Sequence, residues 1–101
     1  MRNFDKTINE MMADNPTNLK LPPDIKDAEM IRLALQAEYD AVNLYEQMAE
    51  KASDTKLKET LLDIAREEKV HIGELDTLLS IIDKEHDEAM LDGTKEVEKE
   101  S

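Results

Sequence analysis

Two helical apolar stripes, each interrupted by titratable side chains, constrain this chain more than any other feature of its sequence. Spacings of three and four residues connect the first stripe: Ile31, Ala34, Glu38, Ala41, Tyr45, Met48 and Ala52. The same spacings connect the second: Leu57, Leu61, Ile64, Glu68, His71, Leu75, Leu78 and Ile82. Stripes of this kind pack one helix against another. The sequence therefore predicts an all-α protein.

The residues between the stripes predict an antiparallel two-helix hairpin over residues 24–92. Pro22-Pro23 forbids a helix at that point, while Ser53-Asp54-Thr55 interrupts the pattern and offers Ser53 or Asp54 as the N-cap of the next helix. The expected bounds are Asp24 or Asp27 to about Ala52, and about Lys56 to between Asp83 and Met90.

The segments outside the hairpin are expected to be accessory. Residues 1–23 are interpreted as an N-terminal arm or short helix, with Asp5–Ala13 as its helical part and Phe4, Ile8, Met11 and Met12 as its apolar side. Residues 93–101 are charged apart from Val97 and a few small polar side chains, and are predicted to be a disordered tail.

Composition excludes several classes of function. The 101 residues are enough for one small domain, and without cysteine the chain has no disulfide, thiolate nucleophile or sulfur-ligated iron. The net charge of −12 repels nucleic acid and attracts cations. No apolar run reaches the length of a membrane span and the N-terminus does not resemble a signal peptide, so we expect a soluble, cytoplasmic protein without a membrane partner.

The polar interruptions of the two stripes are expected to meet. Glu38 lies fifteen residues before Ser53 and Glu68 fifteen residues after it, so antiparallel helices place both carboxylates at one height, about 22 Å from the turn. His71 follows Glu68 by one turn on the same face. A carboxylate at a core position is costly unless it is paired, protonated or bound to a metal.

This ligand set suits iron or manganese, and zinc is a further candidate. Di-iron carboxylate bundles use one Glu from each of two helices and Glu-x-x-His from each of two others, and this hairpin carries one of each. A two-fold axis would complete the site in a homodimer that forms a four-helix bundle. The alternative is that Glu68 pairs with Lys69 or Arg66. The level position of Glu38 favours the metal interpretation.

The segments Leu35–Ala49 and Ala65–His71 resemble the encapsulated ferritins, two-helix ferritin-like proteins that also occur fused to encapsulin shell proteins. The resemblance covers about residues 27–90 and includes the interval of 30 residues between Glu38 and Glu68. It implies a ferroxidase with a di-iron centre at a dimer interface. It also implies a ring of dimers, typically a decamer, inside an encapsulin nanocompartment used for iron storage.

The resemblance also implies roles for individual residues. Glu38, Glu68 and His71 match the iron ligands, Tyr45 a neighbour of the centre, and Asp40 an acidic, metal-attracting position on the iron uptake route. Tyr45 is expected either to bond a ligand carboxylate or to reach solvent. Two positions depart from the family on that route: Ala37 replaces an acid and Leu44 replaces a tryptophan. No encapsulin-targeting tag is recognisable in Thr94–Ser101, so the tag lies elsewhere or the chain is a domain of a fusion.

Two other functions compete with ferroxidase activity. A rubrerythrin-like peroxide reductase shares the bundle chemistry but usually draws electrons through a cysteine-ligated iron. A non-catalytic helical adaptor would use the buried polar residues to fix pairing register. Among the remaining candidates, Met48 is expected to fill the core, and three side chains are expected to be solvated: Glu67, Glu74 and His86.

Overall fold

The computed structural model describes residues 21–100, which form three α-helices and contain no strand. We number them α1 (Asp27–Lys51), α2 (Thr55–Ile82) and α3 (Lys84–Glu100). Most of the predicted N-terminal arm lies outside the described residues. No helix within residues 21–100 has the length and apolar character needed to cross a membrane.

The turn between α1 and α2 begins where the sequence predicts it. The Asp54 carboxylate accepts a hydrogen bond of 2.8 Å from the Leu57 N–H, so Asp54 is the N-cap of α2. Ala52 has extended backbone angles, and its N–H still donates to the Met48 carbonyl. At the other end of the hairpin, α1 begins at Asp27 after Lys26, whose side chain makes no cap hydrogen bond.

Contacts across the hairpin show that α1 and α2 run antiparallel. His71 on α2 contacts Glu38 on α1, whereas the earlier Lys69 pairs with the later Glu46 at 2.9 Å. An earlier residue on one helix therefore faces a later residue on the other. This arrangement is the predicted hairpin.

One tyrosine, one leucine and two alanines form the core near the turn. Tyr45 and Ala49 of α1 are 4% and 1% exposed, and they cluster with Leu61 and Ala65 of α2. The alanines let the helix axes approach, since interaxial distance depends on the side chains at the contact. Leu79 is buried farther along α2.

One edge of each stripe is not covered by the neighbouring helix. Met30, Leu78 and Ile82 are 41%, 50% and 49% exposed, although the last two belong to the predicted stripe of α2. They border an open apolar groove of about 390 Å³ that also includes Ile31, Ala34 and Leu75. The helices of a single chain thus cover only part of the apolar surface that the sequence pattern contains.

The C-terminal part of the chain differs from the sequence prediction. The predicted hairpin is present, but a third helix follows it within the described residues, and residues 93–100 continue this helix instead of forming a disordered tail. Lys and Glu are good helix formers, no proline interrupts this segment, and Gly93 is tolerated within the helix. The second helix ends at Ile82 because Asp83 is extended and its carboxylate accepts from the His86 N–H at the start of α3.

Candidate metal centre

Three side chains from the middle of the hairpin converge in one cluster. Glu38 comes from α1, whereas Glu68 and His71 come from consecutive turns of α2. Each offers one ligand-type atom, and these atoms all lie within 4.8 Å of one another. His71 Nδ1 is 3.0 Å from Glu38 Oε2 and 3.5 Å from Glu68 Oε2. The equal distances of both glutamates from the turn account for this convergence.

The three side chains of the cluster differ in how far they are exposed to solvent. The side chain of Glu68 is 14% exposed, that of Glu38 is 24% exposed, and that of His71 is 49% exposed. The carboxylates therefore lie deeper than the imidazole. A ligand reaching the cluster would approach from the side of His71.

The local environment raises the pKa of Glu68 above its usual value. Burial, followed by the hydrogen bond with Glu38 and the charge of Glu38, raises the pKa of Glu68 from 4.5 to about 7. The charge of His71 and its hydrogen bond oppose this rise. The dominant causes are thus desolvation and the neighbouring carboxylate.

The same two carboxylates also raise the pKa of His71, because they stabilise the positively charged form of its imidazole. Burial lowers its pKa, but the hydrogen bond and charge of Glu38, together with the charge and hydrogen bond of Glu68, outweigh burial. The pKa of His71 is therefore raised above 6.5. In the absence of a metal cation, the carboxylates favour a positive imidazole.

The donor set of the cluster fits a divalent metal ion. Two carboxylates and one imidazole supply the oxygen and nitrogen ligands that iron and manganese accept. A cation would replace the proton on Glu68 and the proton on His71 as the positive charge among these groups, because metal ligands must be deprotonated. Within residues 21–100, this is the group of three or more potential ligands close enough to hold a metal.

The two remaining residues of the predicted site lie outside this group. Tyr45 is 4% exposed and belongs to the core cluster with Ala49 and Leu61. Asp40 is exposed and lies two positions from Glu38 on the same helix, which turns it about 200° away around the axis. A role for either residue in the metal chemistry stays a prediction.

Other side chains agree with the sequence analysis in part. Glu67 and Glu74 are exposed, as expected, while Met48 is 39% exposed and so fills the core only partly. His86 is not solvated, because it is only 17% exposed and its Nε2 lies 3.0 Å from Asp76 Oδ1. Helical periodicity contains no signal for this contact, since His86 belongs to α3 and not to the stripe of α2.

The cross-helix pair of Lys69 with Glu46 was also not predicted. The pair lies next to Glu68 in sequence, but Lys69 faces Glu46 rather than the ligand cluster. Glu68 is therefore left to Glu38 and His71. The exposed position of the pair limits its contribution to stability to about 1 kcal/mol or less.

Comparisons with known proteins show the family to which the chain belongs. The family model described as Rubrerythrin matches residues 29–100. The chain is 44% identical over 90 residues to a ferritin-like-encapsulin shell fusion protein of Pyrococcus furiosus, covering 86% of this chain and 26% of that protein. The chain thus spans about a quarter of the length of this curated relative.

A solved structure shows the same fold at similar identity. The crystal structure of the encapsulated ferritin domain from Pyrococcus furiosus matches with a TM-score of 0.73 and 42% identity. The match covers 84% of this chain and 90% of that chain. The resemblance to encapsulated ferritins that the sequence motifs indicated is confirmed.

Proposed function

Because this chain belongs to the rubrerythrin family of ferritin-like proteins, we propose that it oxidises ferrous iron with dioxygen at a site shared by two copies. The observation that carries the proposal is the convergence of Glu38, Glu68 and His71 within 4.8 Å. Helical bundles that bind two irons use this combination of one Glu and one Glu-x-x-His from each half. Iron is the substrate of the proposed reaction.

The ligand set of one chain is too small for two metal ions. Two copies related by a two-fold axis would supply four carboxylates and two imidazoles, and the four negative charges would balance two ferrous ions. The exposed apolar edges of α1 and α2 support this pairing, since Met30, Leu78 and Ile82 line an open apolar groove on the same hairpin and remain exposed in one chain. Burial of these side chains would favour association.

Each residue of the cluster would have a defined task. Glu38 and Glu68 would hold the ferrous ions at a fixed spacing, and His71 would bind through an imidazole nitrogen. Glu68 must give up its proton as iron binds, because its pKa is about 7 in the metal-free cluster. Each of the two ferrous ions then loses one electron, dioxygen takes up these two electrons and two protons and leaves as hydrogen peroxide, and ferric product leaves.

Tyr45 and Asp40 keep supporting roles in this proposal. Tyr45 would position a ligand carboxylate from the core, and Asp40 would raise the local concentration of cations near the surface. A helical hairpin encloses no storage volume. Mineral would therefore accumulate elsewhere, and the fusion relative suggests the interior of an encapsulin compartment. A ring of dimers, such as a decamer, would be the form that works there.

The test is anaerobic titration with ferrous iron, followed by admission of air. We expect binding to saturate at about one ferrous ion per chain, and ferric iron to form after oxygen is admitted. Glu67→Ala is a matched control for Glu68→Ala, because Glu67 is the exposed neighbouring acid. Saturable binding and rapid oxidation that persist in Glu68→Ala would contradict the proposed ligand set. Their loss in Glu67→Ala would show that the effect is not specific to Glu68.

Peroxide reduction is the second candidate function, favoured by the description of the matching family as Rubrerythrin. The chain has no cysteine, so electrons for that reaction would come from a separate donor. Ferrous protein would then react faster with hydrogen peroxide than with dioxygen. A non-catalytic adaptor would bind no ferrous iron in the same titration.

A further inference from the structure

The bend between α2 and α3 occurs without a helix-breaking residue. A single residue, Asp83, separates Ile82 from Lys84, and residues 79–90 contain neither proline nor glycine. Asp83 has φ −128° and ψ 97°, which is extended backbone. Sharp kinks usually occur at proline, at glycine or serine pairs, or where a side chain inserts into the helical hydrogen bonds. Side-chain contacts are therefore the candidates for what holds this bend.

Two hydrogen bonds of His86 exist at the bend. Its backbone N–H donates to Asp83 Oδ1 at 3.2 Å, and its ring Nε2 lies 3.0 Å from Asp76 Oδ1 on α2. His86 is also the one residue among positions 84–99 that is not exposed. Asp83 additionally faces Arg32 of α1 at 3.8 Å. Within the described residues, these hydrogen bonds attach the first turn of helix α3 to the hairpin.

These contacts are incompatible with a continuous helix. Ten residues separate Asp76 from His86, which corresponds to about 15 Å along a straight α-helix. The side chains cannot then approach to 3.0 Å. In a straight helix the His86 N–H would bond to the carbonyl four residues earlier, at Ile82, rather than to the Asp83 carboxylate. Both bonds therefore stabilise only the bent form.

The straight form has its own stabilising interactions. If Asp83 adopted helical backbone angles, the i to i−4 backbone hydrogen bonds that cross residue 83 would form. The flanking residues are compatible with helix. The sequence pattern itself predicts helix beyond Asp83. The two forms differ by a few hydrogen bonds, which contribute modestly each because water competes for the same groups.

We propose that the α2–α3 junction is a two-state element in which the Asp76–His86 contact and the Asp83 cap hold the bend, and that their loss joins α2 and α3 into one continuous helix. The cluster of Glu38, Glu68 and His71 lies on the hairpin before the junction and does not take part in this change. The proposal is independent of the reaction at the cluster.

The lack of native cysteine makes the bend directly measurable. Spin labels on Asp63→Cys and Lys95→Cys, both exposed positions, report the distance from α2 to α3. In a continuous helix these residues are separated by about 48 Å, whereas any bend at Asp83 shortens the distance. Labelled chains diluted about tenfold into unlabelled chains keep the measured distance within one chain in an oligomer.

We expect one short distance in the otherwise native chain and a shift to about 48 Å when His86→Phe is combined with Asp83→Ala. His86→Gln, with Asp83 kept, is the matched control for His86→Phe, because the glutamine amide can still donate a hydrogen bond to Asp76. This variant should retain the short distance between the spin labels. Anaerobic ferrous titration of the double variant should be unchanged, which separates this proposal from the proposed function.

Two results would overturn the proposal. A short distance that persists in the double variant would show that backbone preference at the junction, rather than these contacts, makes the bend. A broad distribution without a maximum near about 48 Å would show that the contacts only restrain a loose helix. Circular dichroism identifies a failure to fold, and in that case Asp76→Ala alone, which leaves His86 and Asp83 in place, must still populate the long distance.

Discussion

The core near the turn and the ligand cluster in the middle of the hairpin are built from the same two helices, but they place different demands on them. In the core, Ala49 and Ala65 are at most 2% exposed and pack with the apolar side chains of Leu61 and Ile64. One or two turns away, Glu38, Glu68 and His71 interrupt the same stripes and lie closer to solvent. The core should therefore determine stability, and the cluster should determine activity and metal dependence.

The largest expected effect separates the two regions by activity. Glu38→Ala, Glu68→Ala and His71→Ala should each abolish ferrous oxidation while the helical circular dichroism signal remains. In the proposed homodimer, a two-fold axis would double each change, so one substitution would remove two ligands from the shared site. Oxidation is followed by ferric absorbance. Wild-type rates in any of the three variants would contradict the assignment of that residue as a metal ligand.

Substitution in the core should give the opposite result. Leu61→Ala is expected to lower the free energy of unfolding by about 2–4 kcal/mol, because it leaves a cavity between the helices. The neighbouring Leu62, which is 47% exposed, is the matched control, and Leu62→Ala should cost about 0.5 kcal/mol or less. Denaturant unfolding with chelator and with ferrous iron gives the two values. If ferrous iron abolished the loss of unfolding free energy in Leu61→Ala, the stability of the core would depend on metal binding at the cluster.

Much of this contrast could be predicted from the sequence. The spacing of the stripes, with Glu38 and Glu68 equally far from Ser53, predicted both the hairpin and the convergence of the ligands. Periodicity did not predict which edge of each stripe would be covered, since the described helices leave part of the apolar surface exposed. It also missed the break at Asp83, because Asp76 and His86 meet only through tertiary structure.

Replacing the carboxylates of the cluster with apolar side chains should remove the dependence of chain association on metal. Glu38→Leu combined with Glu68→Leu replaces both carboxylates of the stripes with apolar side chains, so the chains should associate without metal and lose all activity. In the native protein, the carboxylates of two copies would repel one another until iron binds, and iron should therefore promote association. Native mass spectrometry with chelator and then with ferrous iron measures both.

The control for this double variant is Glu67→Leu, which adds an apolar side chain at an exposed position beside the cluster. It should leave association dependent on iron. If the native protein has the same oligomeric state and melting temperature in chelator and in iron, the metal does not lie in the subunit interface.

The pH dependence of stability should reverse when iron binds. Without metal, folded Glu68 holds a proton between pH 4.5 and about 7 that the unfolded chain has released, so stability falls as pH rises through this range. His71 has the same sign, because its pKa is raised above 6.5 and its stabilising contribution is lost as pH rises through the folded pKa. Iron requires deprotonated ligands, so the iron-bound protein should become more stable over the same range.

Melting temperatures between about pH 4.5 and 7.5, in chelator and in ferrous iron, measure this reversal. Glu68→Gln removes the titrating carboxyl while keeping its shape, and the slope in chelator should decrease. Parallel pH profiles with and without iron would mean that iron binds away from Glu68 and His71.

The smallest expected effect concerns Asp40, which shares α1 with both regions but faces solvent. Asp40→Asn should slow oxidation about two- to fivefold at limiting iron and leave the rate at saturating iron unchanged, because an exposed acid concentrates cations without holding them. Added salt should reduce the difference by screening. Asp63→Asn removes an exposed acid from α2 and controls for net charge. Equal slowing at both iron concentrations would place Asp40 at the reacting metal, and equal effects of Asp40→Asn and Asp63→Asn would assign the attraction to the whole acidic surface.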